Sequence, residues 1–340
     1  MTNSSTNPAL TTRRLGRSDL NVSCIGLGCM GMSYAYGPTD DNESIRVLHR
    51  YVERGGNFLD TAEVYGPYEN ETLLGKFLTE IPRDSVIVAT KFGFKFEAAT
   101  KQIIGVDSSP ANIRRACDES LKRLGIDTID LLYQHRADPQ VPIEDVIGVL
   151  TELIQAGKVR EIGLSEVSQD TLRRATKVHR VAALQNEYSL WTRDVEGNGT
   201  LATCRELGIG FVAYSPLGRG FLTGAIQKAS DMAEGDWRRT NPRFQGDALE
   251  KNQQLADHIK TLATKKGCTS AQLAIAWVLA QGEDIVPIPG TKRVKYLDDN
   301  LGAANVTLTK SELEDIDRLF PPGAAEGARY GEVMMSLVNK

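Results

Sequence analysis

Four polar side chains near the ends of predicted strands could together carry out acid–base chemistry. Asp60 ends the run NFLD, Tyr65 follows it in TAEVYG, Lys91 follows VIVAT, and His135 follows DLLYQ. The pKa of a free phenol is about 10, so Tyr65 needs a nearby cation to act as an acid around neutral pH. Lys91 would be that cation, held by the Asp60 carboxylate, while His135 would orient a substrate oxygen. Such a set can protonate the alkoxide that develops when hydride reduces a carbonyl.

Short apolar runs rich in β-branched residues recur along the chain and indicate strands. They alternate with stretches of helical spacing, of which 110–125, 144–158 and 200–208 carry glycine in or just after the last turn. Near-continuous apolar strands between helices indicate a parallel sheet covered on its outer face, and eight such units close a barrel. The eight runs span residues 23–28, 56–60, 85–90, 128–134, 159–164, 181–187, 209–215 and 284–289.

The sequence therefore predicts an α/β fold, a (β/α)8 TIM barrel. Working residues of such a barrel lie where strands end, on its C-terminal rim, so the ends of strands two, three and four would bring the four side chains together. A doubly wound open sheet is the alternative. Its glycine-rich turn opens a helix, whereas GLGCMG at 26–31 is followed by SYAYGPTDD.

Three segments lie outside the repeating units. RRLGRSDLNVSCIG at 13–26 predicts a β-hairpin that closes the bottom of the barrel. The long connection after strand seven, from Pro216 to Ala248, is expected to be a lid that is mobile and closes over the coenzyme. SELEDIDRLF predicts a last helix, followed by a tail expected to be partly mobile. We predict one domain over 1–340, with a barrel core at about 13–320 and a tail at 321–340.

The composition limits the kinds of molecule that this protein is expected to bind. The 40 basic and 44 acidic residues are spread along the chain, so there is no long basic stripe for nucleic acid or anionic lipid. No apolar run approaches the roughly 18 residues of a membrane span, and the first residues lack the apolar core of a secretory signal. Five cysteines without CxxC spacing indicate neither a disulfide framework nor a metal site. We expect a cytoplasmic monomer or small homo-oligomer acting on a small molecule.

Several motifs, in this order along the chain, resemble those of the aldo-keto reductase superfamily. The resemblance covers the chain from RRLG to the helix after IPGTKR and is closest to a branch of plant and bacterial reductases. The matching motifs are LDTAEVYG (59–66), ATKFG (89–93), LLYQHRAD (131–138), IGLSE (162–166), LQNEYSLWTRD (184–194), AYSPLGRG (213–220) and IPGTKRVKYLDDN (288–300).

This resemblance implies NADPH-dependent, reversible reduction of an aldehyde or ketone. Tyr65 would be the general acid, Lys91 and Asp60 would tune it, and His135 would orient the carbonyl. Glu166 stands where many family members carry an asparagine that reaches the nicotinamide carboxamide, so the resemblance assigns that contact to Ser165 and Gln185.

The resemblance also implies a coenzyme site along the rim. Tyr214 would stack on the nicotinamide, and the glycine-rich loop after it would approach the pyrophosphate. Lys292 beside a helix N-terminus favours NADP through its 2′-phosphate, although Tyr296 stands where arginine is frequent. The implied contacts are Ser165, Gln185, Tyr214, Ser215, Pro216, Leu217, Gly218, Arg219, Gly220, Ile288, Gly290, Thr291, Lys292, Arg293, Asp299 and Asn300.

Four aromatic residues are candidates for lining the substrate pocket. The loops at the rim contain Tyr34, Tyr36, Phe94 and Trp191, which would either line an apolar opening or fix the conformation of their loops.

Two other functions compete with reductase activity. A Schiff-base aldolase would use Lys91 as nucleophile, but it would leave AYSPLGRG and IPGTKR without a purpose. A non-catalytic, NADP-binding regulatory subunit would keep the same barrel, and the completeness of the site favours an enzyme instead.

Overall fold

The computed structural model describes residues 10–97 and 99–340. Its strands are β1 (Thr12–Arg14), β2 (Asn21–Ser23), β3 (Leu27–Gly28), β4 (Phe58–Asp60), β5 (Ile87–Phe92), β6 (Phe94–Phe96), β7 (Ile103–Val106), β8 (Ile129–Gln134), β9 (Val159–Ser165), β10 (Ala183–Glu187), β11 (Gly210–Tyr214) and β12 (Ile285–Ile288). Its helices are α1 (Asp41–Glu53), α2 (Glu69–Leu78), α3 (Pro110–Leu124), α4 (Ile143–Gln155), α5 (Gln169–Val178), α6 (Asp194–Gly197), α7 (Thr200–Leu207), α8 (Gly246–Lys266), α9 (Ser270–Ala280), α10 (Val294–Gly302), α11 (Lys310–Leu319) and α12 (Glu332–Met335).

Eight strands form a parallel barrel in the order β3, β4, β5, β8, β9, β10, β11 and β12. The seam joins β12 back to β3, where Gly28 bridges Gly290 and the amide of Gly26 donates to the carbonyl of Pro287 at 2.9 Å. Glycine is needed at position 28, because a Cβ there would lie 2.9 Å from the Ile288 carbonyl oxygen. Each predicted run overlaps one of these strands, and the predicted (β/α)8 barrel is confirmed.

The helices begin and end where their sequences favour it. Ser109 accepts a hydrogen bond from the amide of Asn112 at the start of α3, Pro110 takes the first helical position, and Gly125 ends the helix in the left-handed region. Helix α9 opens with a capping box made by Thr269 and Gln272 and is almost wholly buried. These helices cover the barrel, so its strands are apolar on both faces.

The N-terminal hairpin closes the bottom of the barrel. Strands β1 and β2 pair antiparallel, and Leu15, Leu20 and Val22 beside them are fully buried. They pack against Phe58 and Val212, which point into the barrel from β4 and β11. The predicted hairpin is therefore confirmed.

Two irregular segments cross the C-terminal rim. The segment predicted to act as a lid, residues 216–248 and called the lid below, contains several 3₁₀ turns, and the amide of Trp237 donates to the carbonyl of Ala35 in the loop after β3 at 3.0 Å. The tail, residues 321–340, packs on the loop after β9, where the amide of Asn339 donates to the carbonyl of Glu166 at 2.7 Å. Across the described ranges, the helices are all too short or too polar to cross a membrane.

Candidate active site

Lys91 joins the side chains predicted to do chemistry. Its Nζ lies 2.5 Å from Oδ1 of Asp60, 2.8 Å from the carbonyl of Thr61 and 3.2 Å from the Tyr65 hydroxyl. Asp60 ends β4, Lys91 lies in β5, and His135 directly follows β8, so three adjacent strands deliver them to one part of the rim. The Tyr65 and His135 rings meet edge to face with their centres 5.9 Å apart. The structure thus brings all four predicted residues together.

Burial governs the proton affinities of this cluster. Burial raises the pKa of Asp60 and lowers that of Lys91, and the contact between the two opposes both shifts. Burial, reinforced by the Asp60 carboxylate, raises the pKa of Tyr65 well above its ordinary value, so the phenol keeps its proton. Burial, with Lys91 and Arg136 nearby, holds the pKa of His135 well below its ordinary value, so the imidazole is neutral.

The predicted nicotinamide contacts adjoin this cluster and already have protein partners. Gln185 donates from Nε2 to Oδ2 of Asp60 at 2.7 Å, and Ser165 accepts at 3.2 Å from Nη1 of Arg136. The Tyr214 hydroxyl donates to Oε1 of Glu166 at 2.7 Å. Gln185 thus belongs to the hydrogen-bond network of Asp60, Lys91 and Tyr65, and Ser165 is linked through Arg136 to the carbonyl of His135. Tyr214 belongs to a separate network around Glu166.

Glu166 is a hub of this network. Its Oε1 accepts from the amide of Glu187 at 3.0 Å, and both of its carboxylate oxygens accept from Arg329 at 3.1 Å. Its backbone lies in the left-handed region, with φ of 55°, which aims the carboxylate across the rim. Glu166, at the position where many members of the resembling family carry asparagine, therefore holds the tail at the open end of the barrel through its ion pair with Arg329.

Three further residues lie at this site and were not predicted from the sequence: Arg136, Arg329 and Tyr330. Tyr330 shares a 2.8 Å hydrogen bond with the Tyr214 hydroxyl, and both it and Arg329 come from a tail without regular spacing. The available signal for Arg136 was a charged residue directly after the buried strand β8 and beside His135, where an unpaired charge is unexpected. No comparable signal marks the tail residues.

The loop after β11 is a tight turn with left-handed backbone. Positive φ occurs at Ser215, Gly218, Arg219 and Gly220, and the amides of Gly218 and Gly220 donate within the turn, to the carbonyls of Ser215 and Leu217 at 2.9 and 3.0 Å. A Cβ at Gly218 would lie 2.5 Å from the Trp191 ring, so only glycine fits there. Pro216 and Leu217 lie within this turn and are buried. The pyrophosphate contact expected at this loop stays a prediction.

Arg219 reaches from this loop into a buried ion pair. Its Nη2 donates to Oε2 of Glu187 at 2.7 Å, and its guanidinium lies between the rings of Trp237 and Tyr330, 4.6 and 4.5 Å from their centres. This stack joins the lid, the tail and β10. Arg219 therefore links three segments that border the predicted coenzyme site.

The predicted adenosine end of the site lies beside the barrel seam. Lys292 donates from Nζ to the carbonyls of Tyr36, Gly37 and Pro38 at 2.8, 3.4 and 2.5 Å. Helix α10 begins just after it, so a cation and a helix N-terminus stand together as predicted. The remaining members of this group are Ile288 and Gly290 at the seam, Thr291 and Arg293 before α10, and Tyr296, Asp299 and Asn300 within it.

The predicted substrate residues separate into two groups. Tyr34 and Phe94 pack with Tyr65, and the Phe94 ring lies 4.7 Å from that of His135. Trp191 instead lies under the lid, stacked on Phe221 at 4.3 Å. A cavity of about 420 Å³ opens beside the first group and is bordered by residues 33–35 and 37–39, by Gly66 and Pro67, by Lys101 and by the lid at Glu234. This opening leads toward Tyr34 rather than toward Trp191.

Sequence comparison supplies the family. The sequence model of the Aldo/keto reductase family matches residues 24–320. Probable aldo-keto reductase 1 of Glycine max is 46% identical over 318 residues, which cover 93% of this chain and 91% of that protein.

Solved structures agree with this comparison. A glycerol dehydrogenase of Gluconobacter oxydans superimposes with a TM-score of 0.83 at 30% identity, covering 92% of this chain and 96% of its own. An aldo-keto reductase of Bacillus halodurans in its holo form gives 0.74 at 29% identity, covering 95% and 99%. Matches in sequence and structure thus run over nearly the whole chain, and this protein belongs to the aldo/keto reductase family.

Proposed function

We propose that this protein reduces an aldehyde or ketone to an alcohol, with hydride from NADPH and a proton from Tyr65. The observation that carries the proposal is the 3.2 Å contact from Lys91 to the Tyr65 hydroxyl, made by an ammonium that Asp60 holds at 2.5 Å. A cation on the phenolic oxygen stabilises the phenolate that forms as the proton leaves. Lys91 is fully buried, so water weakens this interaction little.

The other residues of the cluster each have a separate role in the proposed reaction. Tyr65 is protonated before reaction, because burial raises its pKa, and it faces His135 edge to face. The neutral imidazole of His135 can donate to a carbonyl oxygen without adding a second positive charge beside Lys91. Phe94 packs on His135 and excludes water from the reacting carbonyl.

The residues present fit a nicotinamide coenzyme. When bound, NADPH supplies the hydride. Ser165 and Gln185 offer a hydroxyl and an amide suited to a carboxamide, and Tyr214 offers an aromatic face. The glycines at 218 and 220 leave the backbone of the loop open to close approach by a phosphate. Lys292 and the start of α10 support a preference for the 2′-phosphate of NADP.

Two rival functions fit the contacts less well. An aldolase needs Lys91 as a free amine, but its Nζ already contacts Asp60, Thr61 and Tyr65, which favours the ammonium form. A purely regulatory subunit has no use for an acid, a cation and a neutral imidazole gathered on one rim. Both alternatives therefore leave the central contacts without a role.

The test is Tyr65→Phe. The ring should pack as before, so the fold and NADPH binding should persist, while kcat for carbonyl reduction should fall by about 10²–10⁴-fold because the proton donor is gone. Tyr68→Phe, three residues away in the same loop, is the matched control and should retain wild-type kcat. Because the Gluconobacter relative is a glycerol dehydrogenase, glyceraldehyde and dihydroxyacetone belong in the substrate panel. A Tyr65→Phe enzyme within about threefold of wild type would refute the assignment.

A further inference from the structure

Arg136 is a buried cation beside the proposed active site. Only 4% of the residue is exposed, and among the described residues the guanidinium donates from Nη1 alone, to the carbonyl of His135 at 2.7 Å and to the Ser165 hydroxyl at 3.2 Å. Its Nε is buried and has no hydrogen-bond partner among the described residues. A side chain with five donors is therefore only partly satisfied by the protein.

The neighbouring cations differ from Arg136 in having carboxylate partners. Lys91 pairs with Asp60 at 2.5 Å, Arg219 with Glu187 at 2.7 Å, and Arg329 with Glu166 at 3.1 Å. Arg136 forms no ion pair within residues 10–97 and 99–340. Charges that are removed from water are normally paired, so an unpaired arginine at this depth indicates an anionic ligand.

The position of Arg136 places such a ligand close to the reacting carbonyl. Its Cζ lies 6.0 Å from the centre of the Phe94 ring, and that ring lies 4.7 Å from His135, which in turn faces Tyr65 at 5.9 Å. The Arg136 guanidinium therefore lies about the width of one aromatic ring from His135 and Tyr65, the residues that would hold the carbonyl. An anion bound by Arg136 would belong to the substrate molecule and lie only a few bonds from its carbonyl carbon.

We propose that Arg136 binds a carboxylate of the substrate, and that short aldehyde acids and keto acids are the preferred substrate class. This inference rests on the proposed reductase function. Hydride from NADPH forms the new C–H bond at the carbonyl carbon, the C=O π pair moves to oxygen, and that oxygen takes the proton of Tyr65. The carboxylate stays ionised, the product is a hydroxy acid, and NADP⁺ is the oxidised product.

The experiment compares acids with their own methyl esters. The panel consists of glyoxylate, 4-oxobutanoate and 4-formylbenzoate with the corresponding methyl esters, which keep the carbonyl and remove the charge. Wild type should show kcat/KM about 10–100-fold higher for the best acid than for its ester, the usual worth of a hydrogen-bonded charge. This comparison needs no variant, so it holds even if substitution at position 136 harms folding.

Variants then assign the preference to Arg136. Arg136→Gln should remove the acid-to-ester ratio, mainly through KM for the acid, and Arg136→Lys should restore part of it. Arg114→Gln, at an exposed arginine on α3, is the control and should keep the wild-type ratio. NADPH affinity, measured by fluorescence titration, separates substrate binding from an effect through Ser165.

Several outcomes would overturn the inference. Equal kcat/KM for acids and esters in wild type would do so, and so would an Arg136→Gln enzyme that loses acid and ester turnover equally. The second result would mean that Arg136 acts on the oxyanion or the coenzyme instead. Turnover of esters without any preference for acids would leave the reductase proposal standing, whereas failure of every carbonyl compound would remove that proposal as well.

Discussion

Glu63 is a buried acid two residues before Tyr65. The amide of Gly93 donates to its Oε1 at 3.0 Å, while its Oε2 has no hydrogen-bond partner among the described residues and lies 3.8 Å from Arg115. Burial raises the pKa of Glu63 to about 7, and these contacts only partly oppose that shift. The folded protein therefore holds this proton more tightly than the unfolded chain, in which a glutamate titrates near about 4.3.

Glu63→Gln should stabilise the protein at alkaline pH. Because the folded pKa is raised, the favourable contribution of Glu63 is complete below about pH 4.3 and is lost as pH rises through about 7. Glutamine keeps the acceptor for Gly93 and carries no charge, so its advantage should reach about 3–4 kcal/mol at pH 8 and vanish near pH 4.5. Urea unfolding at both pH values measures this difference. Glu69→Gln, at the exposed glutamate that begins α2, is the control, and parallel stability curves for Glu63→Gln and wild type would contradict the prediction.

The four residues predicted for chemistry could be found because the barrel imposes their positions. Asp60, Lys91 and His135 lie at strand ends that a parallel sheet brings to one rim, and Tyr65 is only five residues beyond the first. Residues that irregular segments bring to the site could not be predicted in this way. Arg329 contacts Glu166 across a sequence separation of 163 residues, and no local pattern encodes that contact.

Among the loops and helices, Lys292 ties the start of α10 to the loop after β3. Its ammonium binds three carbonyls of that loop, at residues 36–38. A 2′-phosphate at the same place would compete for the ammonium with uncharged acceptors, and the charged acceptor is the stronger one. Recognition of NADP would therefore release the loop that carries Tyr34 and Tyr36.

Lys292→Ala should weaken NADPH binding by about 1.5–3 kcal/mol, the usual worth of a hydrogen bond to a charged group, and leave NADH little changed. Dissociation constants from protein fluorescence for the two coenzymes provide the test. Lys310→Ala, at an exposed lysine that begins α11, serves as the control. If the affinities for NADPH and NADH fall equally, Lys292 contacts a group that the two coenzymes share, and the preference for NADP must arise elsewhere.

The lid should gain protection when NADP binds. In this structure, Arg238 donates from Nη1 to the carbonyl of Arg219 at 2.8 Å, and Arg219 is paired with Glu187, so phosphate binding in the loop must rearrange these contacts. We expect slower amide exchange across 216–248 on adding NADP and no change in the β1–β2 hairpin, which closes the opposite end of the barrel. Exchange in the lid that is indifferent to the coenzyme would refute this expectation.

For the molecule as a whole, the barrel was the most predictable feature. Its strands are buried on both faces, so each appears as an apolar run, and the covering helices show the complementary spacing. The tail could not be placed in the same way. Its contacts depend on Glu166 and Tyr214, whose positions exist only after the barrel has closed.

The seam between β3 and β12 has a consequence for how the chain folds. Residues 28 and 290 must meet to close the barrel, so the first strand emerges from the ribosome long before its second neighbour exists. Until then the nascent sheet has two open edges, and the apolar floor formed by Leu15, Leu20 and Val22 has only part of its covering. Contacts of such long sequence separation make folding slow. The seam between β3 and β12 should therefore be the last contact of the barrel to form during synthesis.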